Sequence, residues 1–217
     1  MRPPHPAPSD RTRLRRLPDK AAYDRATINA ILDAQPLAQI GHLIDGAPCV
    51  TPTLQWREGD HVYFHGSSAS RMIRAASHGA ICLSVTRLDG LVLARSGLEH
   101  SVNFRAVTVF GMASPVTDPA AKEAHLRVMI DRMFPGRWDQ LRPITAQELK
   151  ATAILSLPLT EASAKIGAGG PTDPPEDMTW PVWAGIAPIT ETIGQMTAEP
   201  GLAADLPLPR ITYGQPE

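Results

Sequence analysis

Apolar and polar positions change their spacing several times along the chain, and each change predicts an element. Residues 24–34 carry Ile28, Ile31 and Leu32 at helical spacing, and Pro36 ends that run. Residues 37–44 predict a strand, closed by the hairpin pair Asp45-Gly46. A second strand follows over 48–56, and Glu58-Gly59-Asp60 turns the chain into a third over 61–65. There Val62 and Phe64 share one face, while His61, Tyr63 and His65 share the other. After Gly66 the pattern becomes helical: serines at 67, 68 and 70 are good starters, Met72, Ile73 and Ala76 form an apolar stripe, and Gly79 ends it.

Strand patterning resumes over 80–86, Asp89-Gly90 predicts a turn, and 91–94 continues the sheet. Residues 103–116 are long for one strand, and Gly111 predicts a bulge or bend within them. Asp118-Pro119 is a helix start, with an acid at the N-cap and proline at the first helical position. Leu126, Met129, Ile130 and Met133 supply its buried stripe, and Pro135-Gly136 ends it. Thr145 with Glu148 matches a capping box, and 153–159 reads as a last strand. Hairpin turns imply an antiparallel sheet. Five to seven strands with few helices favour a barrel, so the class is mainly β within α+β.

Composition sharpens the boundaries. Of 22 prolines, four crowd the first eight residues and nine fall after position 170, so both ends read as extended rather than core. Residues 1–16 are expected as a flexible arm, 17–189 as one domain and 190–217 as an extended tail. The formal net charge of −1 gives no electrostatic reason for a nucleic-acid or membrane partner. Arg11, Arg13, Arg15 and Arg16 cluster near the start and read as a solvated tail. No apolar run approaches the roughly 18 residues of a membrane helix. Cys49 and Cys82 read as buried thiols, and with no secretory segment recognised a cytoplasmic location is expected.

The most informative local chemistry is Tyr63-Phe64-His65-Gly66-Ser67-Ser68-Ala69-Ser70-Arg71. A strand ends, a glycine turns the backbone, and hydroxyls precede a helix with arginine in its first turn. Helix amides, serines and a guanidinium fork suit one phosphate. A plain N-cap beside a solvated arginine is the alternative. Walker and dinucleotide fingerprints are missing.

The stretch 62–67 resembles the FMN-binding split-barrel superfamily that includes pyridoxamine phosphate oxidase, with its nitroimidazole-reductase-like branch the better match. Ser84-Val85-Thr86, Asp89 to Ser96, His100 to Arg105, Phe134 to Trp138, Glu148-Leu149, Ala162 to Lys165 and Pro181 to Gly185 match that branch in order. The resemblance covers 17–189. It implies an antiparallel six-stranded split β-barrel of Greek-key type with flanking helices, and a homodimer holding FMN at its interface. In such proteins the flavin ring lies along the second strand, here Thr51, Pro52, Thr53 and Leu54. The resemblance places His65, Gly66, Ser67, Ser70 and Arg71 on the ribityl and phosphate groups, with Thr86 nearby. Ser101, Asn103 and Arg105 would approach from the partner subunit or the rim.

Two departures concern substrate chemistry. Phe104 and Ala106 stand where the family commonly has tyrosine and serine, and Gly167 stands where an arginine often follows the lysine. His61 and His65 share a face, but no third metal ligand accompanies them, and no metal is expected. Ser96 and Ser101 near His100 lack a nucleophile elbow. Trp138 and Trp183 read as core or interface aromatics, and Lys165 as a phosphate partner or a solvated charge. The implied function is an FMN-dependent oxidoreductase for small, possibly nitroaromatic substrates, with His65 as any proton donor. A non-catalytic flavin or haem carrier is the rival. Pyridoxamine phosphate oxidase itself is a weaker one, since its arginine-rich C-terminal motif is missing.

Overall fold

The computed structural model describes residues 5–203 and 206–212. Ten strands form one antiparallel sheet: β1 (Ala21–Ala22), β2 (Leu37–Ile44), β3 (Ala47–Glu58), β4 (His61–Ser67), β5 (Ala80–Leu93), β6 (Ser101–Met112), β7 (Ser114–Pro115), β8 (Thr152–Pro158), β9 (Ala162–Gly167) and β10 (Gly185–Pro188). Their order is β1-β9-β6-β5-β2-β3-β4-β8-β7, with β10 on β5. Four helices accompany them: α1 (Arg25–Ala34), α2 (Arg71–His78), α3 (Pro119–Met133) and α4 (Ala146–Ala151).

The split in the barrel lies in β3. Its first half pairs with β2 from Ala47 to Leu54, and its second half pairs with β4 from Gln55 to Glu58. β4 then diverges onto β8, which leaves the far edge of 47–54 open. The Gln55 amide donates to Pro36 O (2.7 Å) on the β2 side, so by alternation positions 48 and 52 face the open edge. Both are proline, which has no amide hydrogen to leave unpaired there.

Local signals set most boundaries. Asp45 (φ 51°) and Gly46 (φ 78°) both have positive φ, as a two-residue primed turn requires. Asp24, Ser70 and Asp118 each accept an amide as N-caps of α1, α2 and α3. The capping box of α4 is complete. The main core joins inward residues of the strands (Ile40, Val62, Phe64, Leu83, Val107, Leu155) to Ile28 and Leu32 of α1 and Met72 and Ile73 of α2. A smaller cluster of Trp56, Leu126, Met129 and Ile154 lies under α3.

Four expectations are corrected. The strands number ten rather than six, because the short β1, β7 and β10 carry little pattern of their own. Asp89-Gly90 is not a turn: β5 runs through it, with a register irregularity between Leu88 and Gly90. The strand at 153–159 is not the last: residues 162–167 form a further, buried strand between β6 and β1. Small residues there (Ala162, Ser163, Ala164) lack the bulk that marks a strand in sequence. The two cysteines are free and half-buried rather than fully enclosed. Among the described residues no helix is long and apolar enough to cross a membrane.

Candidate functional site

Two places carry site chemistry, and His65 at the end of β4 borders both. The first is the corner between β4 and α2. Thr53 Oγ1 donates to the His65 carbonyl (3.0 Å), which ties the open edge of β3 to the corner. Ser70 caps α2, its Oγ accepting from Ile73 N (3.5 Å) and its carbonyl from Arg74 N (3.1 Å). Ser68 N donates to Ala151 O (2.8 Å) at the end of α4 and Ser70 N to Ser67 O (2.9 Å), and Ser67 Oγ accepts from Ala69 N (3.2 Å). The amides of Arg71 and Met72 have no partner among the described residues. Gly66 is needed for space, since a Cβ there would meet Ile73 Cγ1 at 3.1 Å. The Arg71 side chain is 70% exposed and lies 3.8 Å from Asp45, itself almost wholly in water. Such a long, solvated pair is weak and easily exchanged for another anion.

Thr51, Pro52, Thr53, Leu54, His65, Gly66, Ser67, Ser70 and Arg71 are therefore neighbours along one edge and corner. Thr86, Ser101, Asn103 and Arg105 are placed elsewhere, on β5 and β6, and neither strand pairing nor hydrogen bonding links them to that group. Arg105 is bound through Nε (2.9 Å) and Nη2 (2.8 Å) to Asp89, which holds the guanidinium even more firmly protonated. Asn103 donates to Gly169 O (3.1 Å). Ser101 and Thr86 are exposed.

The second place was missed in the sequence. A cavity of about 480 Å³ opens beneath α3, lined by His65, Leu126, Met129, Ile130, Trp138, Leu141, Arg142, Ile144, Glu148 and Thr152. Its wall is mostly apolar, with one imidazole and an Arg142–Glu148 pair on it. Arg142 reaches both Glu148 oxygens, at 2.5 and 3.0 Å. That pairing, with the Thr145 amide and hydroxyl, lowers the Glu148 carboxyl to about 2. His65 Nδ1 is buried without a hydrogen-bond partner, and burial lowers the ring's pKa. Both facts favour a neutral imidazole with a free lone pair. The sequence singled out its members separately, with His65 as a flavin-pocket donor, the stripe of α3 as a buried stripe, Trp138 as a core or interface aromatic and Glu148 as a cap, and nothing local joined them.

Comparison with known proteins agrees with this architecture. The family model described as pyridoxamine 5′-phosphate oxidase matches residues 24–166. The flavocytochrome Anf3 from Azotobacter vinelandii is 46% identical, with 96% of this chain and 99% of that one covered at a TM-score of 0.92. The FAD and heme binding protein from Mycobacterium smegmatis is 38% identical, with 88% and 94% covered and a TM-score of 0.83. A 5-nitroimidazole antibiotic resistance candidate from Bacteroides thetaiotaomicron shares the fold at 16% identity, covering 67% and 86% with a TM-score of 0.57. Among curated proteins there is no match. The chain belongs to the pyridoxamine 5′-phosphate oxidase family.

Proposed function

We propose that this protein is a flavin- and haem-binding redox protein of the oxidoreductase class, working as a homodimer. The observation that carries the reading is His65, a neutral imidazole that lines an apolar cavity and has no hydrogen-bond partner at either ring nitrogen among the described residues. An unprotonated ring with no protein partner is available to a ligand that enters the cavity. A mostly apolar cavity of about 480 Å³ with one imidazole on its wall matches a flat, greasy macrocycle. Two relatives above 30% identity bear names that include a haem protein, which supports the same assignment. His65 would then ligate iron.

The corner suits the flavin. Two unpartnered amides, exposed hydroxyls and the lightly held Arg71 form a cationic site for one phosphate, which favours FMN. The open edge of β3 supplies backbone for the ring. Flavin exchanges one or two electrons and haem one, so together they would join two-electron donors to one-electron acceptors. The protein's own part is to hold both groups, exclude water around His65 and keep that imidazole unprotonated.

A second subunit is supported by the outward face of the sheet. Register puts Leu37, Leu43, Val50, Cys82 and Met112 on that face, and Val50 is 69% exposed. Across the outward positions of β2, β5, β6 and the first half of β3 there is no charged residue. Charge depletion of that kind characterises interface cores. Residues Ser101, Asn103 and Arg105 would meet the flavin from that partner.

Spectra of the purified protein test the assignment. A Soret band that His65→Ala abolishes, with flavin absorbance kept, is the expected result; a Soret band unchanged by that variant overturns the ligand assignment. Arg71→Ala should weaken flavin binding about thirtyfold, the loss of roughly 2 kcal/mol for one charge-assisted contact. Equal affinity in a titration would place the phosphate elsewhere. Mass spectrometry of the released chromophore distinguishes FMN from FAD, and sedimentation reads the dimer.

A further inference from the structure

Behind the His65 cavity stands a run of aromatic rings that leads to the surface. Trp56 is 4% exposed and packs with Leu126, Met129 and Ile154. Its ring lies 6.1 Å from that of His65 and is stacked on Tyr63 at 5.8 Å, with 19° between planes. Tyr63 lies 4.4 Å from the His125 ring, whose side chain is 21% exposed. The Trp56 indole N–H donates to Glu58 Oε1 at 2.6 Å, and the same oxygen is 2.8 Å from His125 Nδ1.

Packing explains why a tryptophan is buried there. It does not explain a half-buried carboxylate on the indole nitrogen, which a neutral carbonyl would satisfy. A carboxylate stabilises the positive charge that appears when the ring loses an electron, and it can accept the N–H proton. Both effects make Trp56 easier to oxidise than a tryptophan among neutral groups. Stacked contact with Tyr63 then lets the vacancy move outward.

We infer that Trp56 and Tyr63 relay single electrons between the His65 cavity and the surface, giving the protein a peroxidase-type activity toward phenols that remain outside the cavity. The inference rests on the haem reading above. Hydrogen peroxide is the oxidant: its O–O bond breaks, and with two electrons and two protons it becomes two waters. Each electron leaves Trp56 while the indole proton passes to Glu58. Tyr63 refills Trp56, losing its phenolic proton to solvent, and Glu58 returns the indole proton. A phenol at the surface then gives one hydrogen atom to Tyr63. Two turns consume two phenols and release two phenoxyl radicals, so the sum is one peroxide and two phenols to two waters and two phenoxyls.

The experiment uses the purified holoprotein, with haem content fixed by its Soret band. After mixing with hydrogen peroxide and freezing, electron paramagnetic resonance should show a protein radical whose spectrum narrows on ring-deuteration of tryptophan or tyrosine. Trp56→Phe and Tyr63→Phe should lower radical yield and guaiacol oxidation at least tenfold with the Soret band intact, and Glu58→Gln should do so in part. Trp180→Phe, far out in solvent at 65% exposure, should match wild type. Full haem with an undiminished radical and undiminished phenol oxidation in Trp56→Phe overturns the relay alone. A chain that takes up no haem overturns the haem reading and the relay with it.

Discussion

The two apolar clusters of this protein differ in how they are built. The barrel core is assembled from alternating strand positions and plugged by α1 and α2, and Val62, Phe64, Leu83 and Leu155 there are fully enclosed. The cluster under α3 joins Trp56 and Ile154 of the sheet to Leu126 and Met129 of one helix, with half-buried aromatics and a cavity alongside. The first is filled, and the one imidazole at its margin, His42, has its Nδ1 on the Ile40 carbonyl (3.0 Å). The second keeps free space, a neutral imidazole and a carboxylate within reach of an indole. Close packing stabilises, and incomplete packing leaves room for chemistry.

That contrast can be broken most directly by truncation. Phe64→Ala should destabilise by about 3–5 kcal/mol, because a filled core cannot collapse around the void. Met129→Ala, beside space that already exists, should cost about 2 kcal/mol, near the lower end for such changes. Urea unfolding of both variants compares them, and equal losses would show that the lower cluster is packed as tightly as the barrel.

A smaller effect is expected where the two clusters are joined. Asp33 of α1 accepts from Arg57 of β3 (3.0 and 2.6 Å) and from Arg132 of α3 (2.9 Å). Asp33→Ala leaves a half-buried Arg57 without its carboxylate, at a cost of about 1–3 kcal/mol. Hydrogen exchange should show the loosening in α3 before the barrel strands; uniform loss across both would mean the clusters unfold as one unit.

The smallest effect is local to the cavity mouth and depends on pH. Glu148 titrates near 2 in the folded chain against an ordinary 4.5, chiefly because Arg142 bonds its carboxylate. A depressed carboxyl stabilises above its ordinary value, and that contribution fades as pH falls from about 4.5 to about 2. NMR of the Glu148 carboxyl should place its midpoint near 2, and Arg142→Met should move it upward. A midpoint already near 4.5 in wild type would show that the mouth is held open.

Much of the architecture was legible because it depends on neighbours in sequence. Asp45-Gly46, Asp118-Pro119 and the Thr145–Glu148 box each specify a turn or cap within four residues, and each is found in place. The β4–α2 corner was legible for the same reason. Asp89-Gly90 misled because the sheet overrides it: β6 pairs along both sides of the irregularity, and Asp89 is fixed by Arg105 rather than by a turn. Strand β9 escaped because Ala162, Ser163 and Ala164 are small, and only their enclosure between β6 and β1 makes them core.

The sequence by itself determined the longer elements in order, the antiparallel class and the capped turn from β4 into α2, all of which follow from periodicity and side-chain chemistry over short spans. Only the tertiary structure decided what His65 faces. The residues that enclose it come from positions 126–152, and the shape of a cavity is fixed by how distant elements fail to fill the space between them. No local pattern encodes a gap of that kind.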